Sequence, residues 1–348
     1  MSKKPNLFGF FRATCSQRNE EEIIMSNRSK ILDKNYISNN LQQLYELKTN
    51  INLPESELDK AKITLESSIK NKGGFFQNSN MTEILEQLNP IANKISLPSE
   101  IINNNNNNLL SIKAPMVKFP DGEIYEGGWN LKHQRNGYGI SVNKEGNVFK
   151  GLWENDKFGQ YGAFIENNGN YYIGELENGK AKGKGEMYIN DKMKYKGDFN
   201  DDLPCGEGIL ENYKDNSIYY GKVINGVKEG YGELKFDDGT VYKGEFKKDK
   251  FNGKGKIIFS NGREYEGEFK NNKMDGEGVF IWEDGKKYIG KYNDNIKQGR
   301  GKLYWNENKY YEGEWYNNKP HGYGMYYLNG KLLKGKFRFG KMISQKDG

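Results

Sequence analysis

The sequence predicts a mainly β protein: a single-layer antiparallel ribbon, or solenoid, of about nine hairpins, preceded by a partly helical segment. Three observations predict it. A Tyr-x-Gly-x-aromatic motif returns about every 23 residues. A Gly-x-Gly motif keeps step with it, and along the stretch that holds each motif apolar or glycine positions alternate with polar ones with a period of two.

Composition points the same way. Only 35% of the 348 residues are hydrophobic, yet 14% are aromatic and 43 are glycine. That aromatic content argues against disorder and for a folded chain with a thin core. The net charge of +6 is no concentrated basic field, so nucleic acid is not an expected partner. No run approaches the roughly 20 apolar residues of a membrane span. The opening stretch is broken by Gly9 and Arg12 and does not read as a signal peptide. Cys15 and Cys205 are too few for a disulfide framework and suit a reducing, cytoplasmic setting.

The first element is an N-terminal segment, 1–110. Ile37, Leu41, Leu44 and Tyr45 stand at helical spacing. Ser56 and Asp59 form a capping box ahead of the stripe Leu58, Ala61, Leu65 and Ile69. A further stripe, Met81, Ile84, Leu85 and Leu88, stops before Pro90. The asparagine run 103–108, followed by Pro115 and Pro120, reads as a linker. These stretches are too short for a core of their own. At least one is expected to lie on the apolar stripe of the ribbon or on a partner.

The repeats occupy 116–340, with a tail at 341–348. Their first motif starts at Tyr125, Phe149, Tyr172, Tyr195, Tyr219, Tyr242, Tyr265, Tyr288 and Tyr311, with a truncated copy at Leu333. Within one unit, Tyr265, Gly267 and Phe269 alternate with Glu266, Glu268 and Lys270, the signature of a two-faced strand. Turn formers follow, and then Gly276, Gly278, Phe280 and Trp282 share one face of a second strand. Asp284–Gly285 signals the next turn. Each glycine leaves bare backbone across which a ring can lie, so a sheet one layer thick can still exclude water. Glu245, Glu268 and Glu314 recur at one repeat position and read as a solvated polar face.

Units such as YEGEFKNNKMDGEGVFIWEDGKKY (265–288) and YEGEWYNNKPHGYGMYY (311–327) resemble MORN repeats, over about 122–340. Leu176, Val223 and Gln160 depart from the pattern. The resemblance implies a single-layered antiparallel β ribbon without catalytic residues. It also implies two candidate activities: holding a partner helix or peptide, and binding acidic phospholipid. Scaffolds of cytoskeletal and ciliary assemblies, and accessory segments of lipid kinases, occur in that family.

No catalytic constellation competes with this reading. His133 and His321 sit in turns, no Cys-x-x-Cys or His-Glu-x-x-His occurs, and no phosphate-loop lysine follows the glycines. An enzyme, a metal and a cofactor are therefore not expected. The expected function is a cytoplasmic scaffold that binds a protein helix or peptide, its own N-terminal helix, or a second copy. Its predicted contact surface is Tyr242, Phe246, Phe259, Tyr265, Phe269, Trp282, Tyr288, Tyr292, Trp305, Tyr311 and Trp315. The alternative is an acidic membrane surface met by Lys157, Lys180, Lys250, Lys273 and Lys319, which share one turn position.

Overall fold

A computed structural model describes residues 74–75, 80–106, 112–113 and 116–345. The helical patterns expected within 37–69, and Cys15, lie outside the described residues. The chain divides into two compact units, Met1–Asn190 with Asp198–Leu203, and Asp191–Gly197 with Pro204–Gly348.

Both units are antiparallel sheets in which each long strand pairs with the next one in sequence. In the second unit, Glu264–Lys270 pairs on one side with Lys250–Ile258 and on the other with Lys273–Ile281. Residues opposite one another share a face. Tyr265 therefore faces Ile257 and Phe280, and Gly267 faces Gly255 and Gly278. These residues form what we term the ring face.

The tyrosine of each repeat, replaced by Phe149 in the second copy, is the keystone of that face. Tyr265 is fully buried although no second layer covers it. A Cβ on Gly267 or Gly278 would stand 2.6 or 2.4 Å from its hydroxyl oxygen, so both positions must be bare for the ring to lie down. The hydroxyl donates a 3.0 Å hydrogen bond to the Glu268 carbonyl. Tyr125, Tyr172, Tyr219, Tyr242, Tyr288 and Tyr311 bond in the same way to the carbonyl three residues on.

Register explains the remaining glycine. Gly267 pairs with Gly278 but Phe269 pairs with Met274, so the second strand carries extra residues in a bulge. Gly276 takes φ 106° there, a conformation that costs a residue with a side chain about 1–2 kcal/mol. The recurring glutamate folds over this bulge. Glu245 accepts a 3.0 Å hydrogen bond from the Lys254 amide, and a Cβ on Gly253 would lie 2.7 Å from its carboxylate. These glutamates thus cap bulges, a role the alternating pattern does not reveal. Asn271 and Asn272, both at positive φ, close the two-residue turn between Lys270 and Lys273.

The first unit adds helices α1 (Met81–Leu88), α2 (Pro90–Lys94) and α3 (Ser99–Asn106). Two expectations are corrected here. The asparagine run does not begin a linker, because α3 continues through its first four residues. Ile102, just before them, packs against the core and holds that helix to the sheet.

The helices also do not lie on the ring face. Met81, Ile84, Leu85, Ala92 and Leu97 bury against Ile124, Val142, Val148, Ala163 and Ile165, all on the opposite face. The reason lies at residue level. The ring face is already sealed by its own glycines, whereas Ile124 and Val148 stand where later repeats place Glu264 and Lys287. Polar struts set the docking geometry. Asn89 donates to the carbonyls of Gly146 and Glu166 at 3.1 and 3.3 Å, and Lys150 reaches the carbonyls of Ala92 and Ile95 at the end of α2.

Candidate partner-binding face

The second unit has a mixed opposite face: ion pairs such as Lys256–Glu264 at 2.7 Å and Lys302–Glu312 at 3.0 Å stand among exposed Ile209, Tyr220, Ile258 and Ile289. Its ring face is built as a zipper. Each bulky residue two places after the strand-one glycine stands edge-on between consecutive tyrosines. Phe269 lies 5.2 Å from the Tyr242 ring and 5.1 Å from the Tyr265 ring, both perpendicular. Trp315 does the same between Tyr288 and Tyr311. Edge-to-face pairs of this kind are worth about 0.5–1.5 kcal/mol each beyond burial.

That construction corrects the predicted contact surface. Tyr242, Phe246, Tyr265, Phe269, Tyr288, Tyr292, Tyr311 and Trp315 are at most 5% exposed. They are spent on holding the sheet together and present almost no area to a partner. Burial also pushes the hydroxyl groups of Tyr242, Tyr265, Tyr288, Tyr292 and Tyr311 well above the ordinary phenol range.

Three of the predicted residues differ. Phe259, Trp282 and Trp305 are half-exposed. Each closes the second strand of its hairpin on the ring face, two residues beyond the one opposite the tyrosine. No glycine pair lies beneath these positions. Phe236 holds the same place one repeat earlier and was missed. The signal was in the sequence, because a ring without two glycines in register is not committed to the backbone. Cations border this row, with Arg263 5.2 Å from the Phe259 ring and Lys309 5.1 Å from the Trp305 ring.

Lys297 is the most unusual of these cations. It pairs with Tyr292 at the place where Phe251 meets Phe246 and Met274 meets Phe269. Its Nζ lies 4.7 Å from the Trp282 ring, 5.2 Å from Tyr288 and 5.5 Å from Trp315. Burial holds its amine below the usual lysine range.

The five lysines of the alternative reading each open the second strand of a hairpin. Lys157 and Lys180 belong to the first unit, and Lys250, Lys273 and Lys319 to the second. Lys180 and Lys273 are held by Asp201 and Asp294 at 2.6 and 3.1 Å. His133 is a turn residue at φ 60°, and His321 packs on Phe339. Among the described residues, no group of His, Cys, Asp and Glu is placed to hold a metal, and no helix is long and apolar enough to cross a membrane.

A family model described as the MORN repeat matches residues 172–193, 195–213, 219–241, 242–262, 265–287, 288–308 and 311–330. Comparison with curated proteins gives no match. Among solved structures, the wild-type TCP10 domain of Danio rerio CPAP is 14% identical, with a TM-score of 0.29, covering 67% of this chain and 99% of that one. The SAS-4 (dCPAP) TCP domain of Drosophila melanogaster, solved with a proline-rich motif of Ana2, is 14% identical with a TM-score of 0.27, covering 41% and 77%.

Proposed function

From the premise that this chain is a MORN-repeat protein, we propose that its second unit is a non-catalytic scaffold that docks a helix of a partner protein on the ring face. One observation carries the reading: half-exposed Phe259, Trp282 and Trp305 recur once per hairpin on a face whose repeat tyrosines and edge-on rings are sealed. Two strands advance roughly 9–10 Å. Seven residues of an α-helix advance about 10.5 Å, so apolar residues at heptad spacing match this row. An extended peptide needs three residues for that distance, and three residues turn its side chain to the wrong side. Aromatic anchors of this kind carry most of the energy of an interface.

The expected occupant is another protein of a cytoskeletal, ciliary or cortical assembly; a second copy or a positioned enzyme would use the same face. The test is proximity labelling in the native cell. Wild-type chain is compared with Trp282→Ala/Trp305→Ala, whose folding is checked by circular dichroism. A folded variant that loses specific neighbours supports the reading; a folded variant with an unchanged neighbour set refutes it.

A second reading keeps an acidic membrane surface as the ligand, met by Lys157 and Lys180 of the first unit or by Lys250, Lys273 and Lys319 of the second. Vesicles containing phosphatidylserine distinguish it, because attraction through exposed lysines fades as salt rises.

A further inference from the structure

Three hairpins of this chain place a cation where the others place an apolar plug against the residue two places after the strand-one glycine. Arg135 faces Trp129, Lys228 faces Val223 and Lys297 faces Tyr292. Each plug residue donates its backbone N–H to a turn side chain 21 positions on, respectively Asp156, Asp249 and Asn318. The first two turn residues double as counter-ions. Asp156 lies 3.3 Å from the Arg135 guanidinium, which also meets Glu123 at 3.0 Å, and Asp249 lies 3.9 Å from the Lys228 ammonium. At the third site an uncharged amide stands in the carboxylate's place. Among the described residues, no carboxylate comes within ion-pair distance of the Lys297 ammonium, which rests among three rings instead.

A second polar group at this place is also unmatched. Tyr292, the cross-strand neighbour of Lys297, stands where Phe246 and Phe269 stand in other repeats, and its buried hydroxyl has no hydrogen-bond partner among the described residues. The same hairpin thus adds a half-buried cation that meets rings but no carboxylate, and a hydroxyl without a hydrogen-bond partner among the described residues. Burying an uncompensated charge is costly, and a carboxylate brought by a ligand would offset that cost through a charge-assisted hydrogen bond. Trp282, one of the half-exposed rings, borders the cation, so a ligand on the docking row passes beside it.

We propose that Lys297, walled by Trp282, Tyr288 and Trp315, is a carboxylate-binding site that receives an acidic side chain of the docked partner helix. Asn318, like Asn272 and Asn295 at the equivalent turns, carries no charge, and so leaves Lys297 without the counter-ion that Asp156 and Asp249 supply to Arg135 and Lys228. This proposal rests on the docking reading above, but its test does not need the partner.

N-acetylglutamate is titrated into the full chain at low salt, with N-acetylglutamine and inorganic phosphate in parallel arms. The indole N–H resonances of Trp282 and Trp315, assigned by single Trp→Phe variants, are followed by NMR. The expected result is a saturable shift with N-acetylglutamate and none with N-acetylglutamine. Asn318→Asp, which restores the internal counter-ion, should weaken binding by about tenfold or more, equivalent to about 1.4 kcal/mol. Lys297→Met should abolish it, and Lys297→Arg should retain it. Unchanged circular dichroism of Asn318→Asp separates loss of the site from loss of the fold.

No saturable shift in wild type, an equal response to N-acetylglutamine, or equal binding by Asn318→Asp would each overturn the proposal. Tighter binding of phosphate than of N-acetylglutamate would overturn the carboxylate assignment. If the probe binds as expected while Trp282→Ala/Trp305→Ala leaves the neighbour set unchanged, the docking reading fails and the site stands. If neighbours are lost but the probe does not bind, the site fails and the docking reading stands.

Discussion

At the scale of single residues, the repeat separates two glycines that look alike in sequence. Gly276 is needed for its backbone angle, and the nearest atom to an added Cβ is the end of the flexible Glu268 side chain. Gly278 is needed for space, because an added Cβ would meet the Tyr265 ring at 2.4–2.5 Å. Gly276→Ala should therefore cost about 1–2 kcal/mol. Gly278→Ala should cost roughly 3 kcal/mol, since the ring has nowhere to move in a packed zipper. Tyr265→Phe keeps the ring and loses only the bond to the Glu268 carbonyl, a loss of about 1 kcal/mol. Urea unfolding of the three variants checks this order; a Gly276→Ala penalty as large as that of Gly278→Ala would contradict it. The spacing of these residues was legible in the sequence. Their separate duties were not, because a bulge is a property of two paired strands.

At the scale of elements, the informative contrast is between the two faces of one sheet. Helix α1 is held at its start by Asn80, whose side chain accepts the Glu83 amide at 2.9 Å, and it buries Met81, Ile84 and Leu85. The stripe of α1 was readable from the sequence. The face that receives it depended on Ile124, Val142, Val148 and Ile165, each unremarkable alone and significant only once register brings them together. Leu85→Ala should cost about 2–5 kcal/mol of local stability, seen as faster hydrogen exchange in α1 and α2. Lys150→Met should also speed exchange in α2, because the carbonyls of Ala92 and Ile95 lose their cationic donor. Removing residues 1–106 should raise apolar-dye binding by uncovering those four aliphatic residues. Unchanged dye binding would mean that the helices cover nothing essential.

At the scale of the whole molecule, burial of one tyrosine per repeat sets the response to alkali. In the second unit, Tyr219, Tyr242, Tyr265, Tyr288, Tyr292 and Tyr311 have hydroxyl groups whose pKa is raised, chiefly by loss of solvent. A raised value means that the folded chain keeps its protons where the unfolded chain has lost them. Their contribution is intact below the ordinary phenol value of 10.0 and declines as pH rises past it. Each group fully ionised only in the unfolded chain steepens the decline by about 1.4 kcal/mol per pH unit. Tyrosine absorbance near 295 nm should therefore rise for these residues together with loss of β circular dichroism. Ionisation that clearly precedes unfolding would show the rings to be open to water.

The sequence by itself determined the repeat, the hairpin and the pairing order, since a 23-residue period with two glycine motifs in phase allows a ring to meet bare backbone in few other ways. It also placed Phe259, Trp282 and Trp305 on the ring face, but among eight residues that prove to be sealed. Tertiary structure alone decided which rings reach solvent, which face the helices cover and which cation lacks a counter-ion. The physical reason is that exposure, docking and charge pairing depend on neighbours one or two strands away. Those neighbours are set by register and bulges, whereas alternation along a single strand reports only which face a side chain takes.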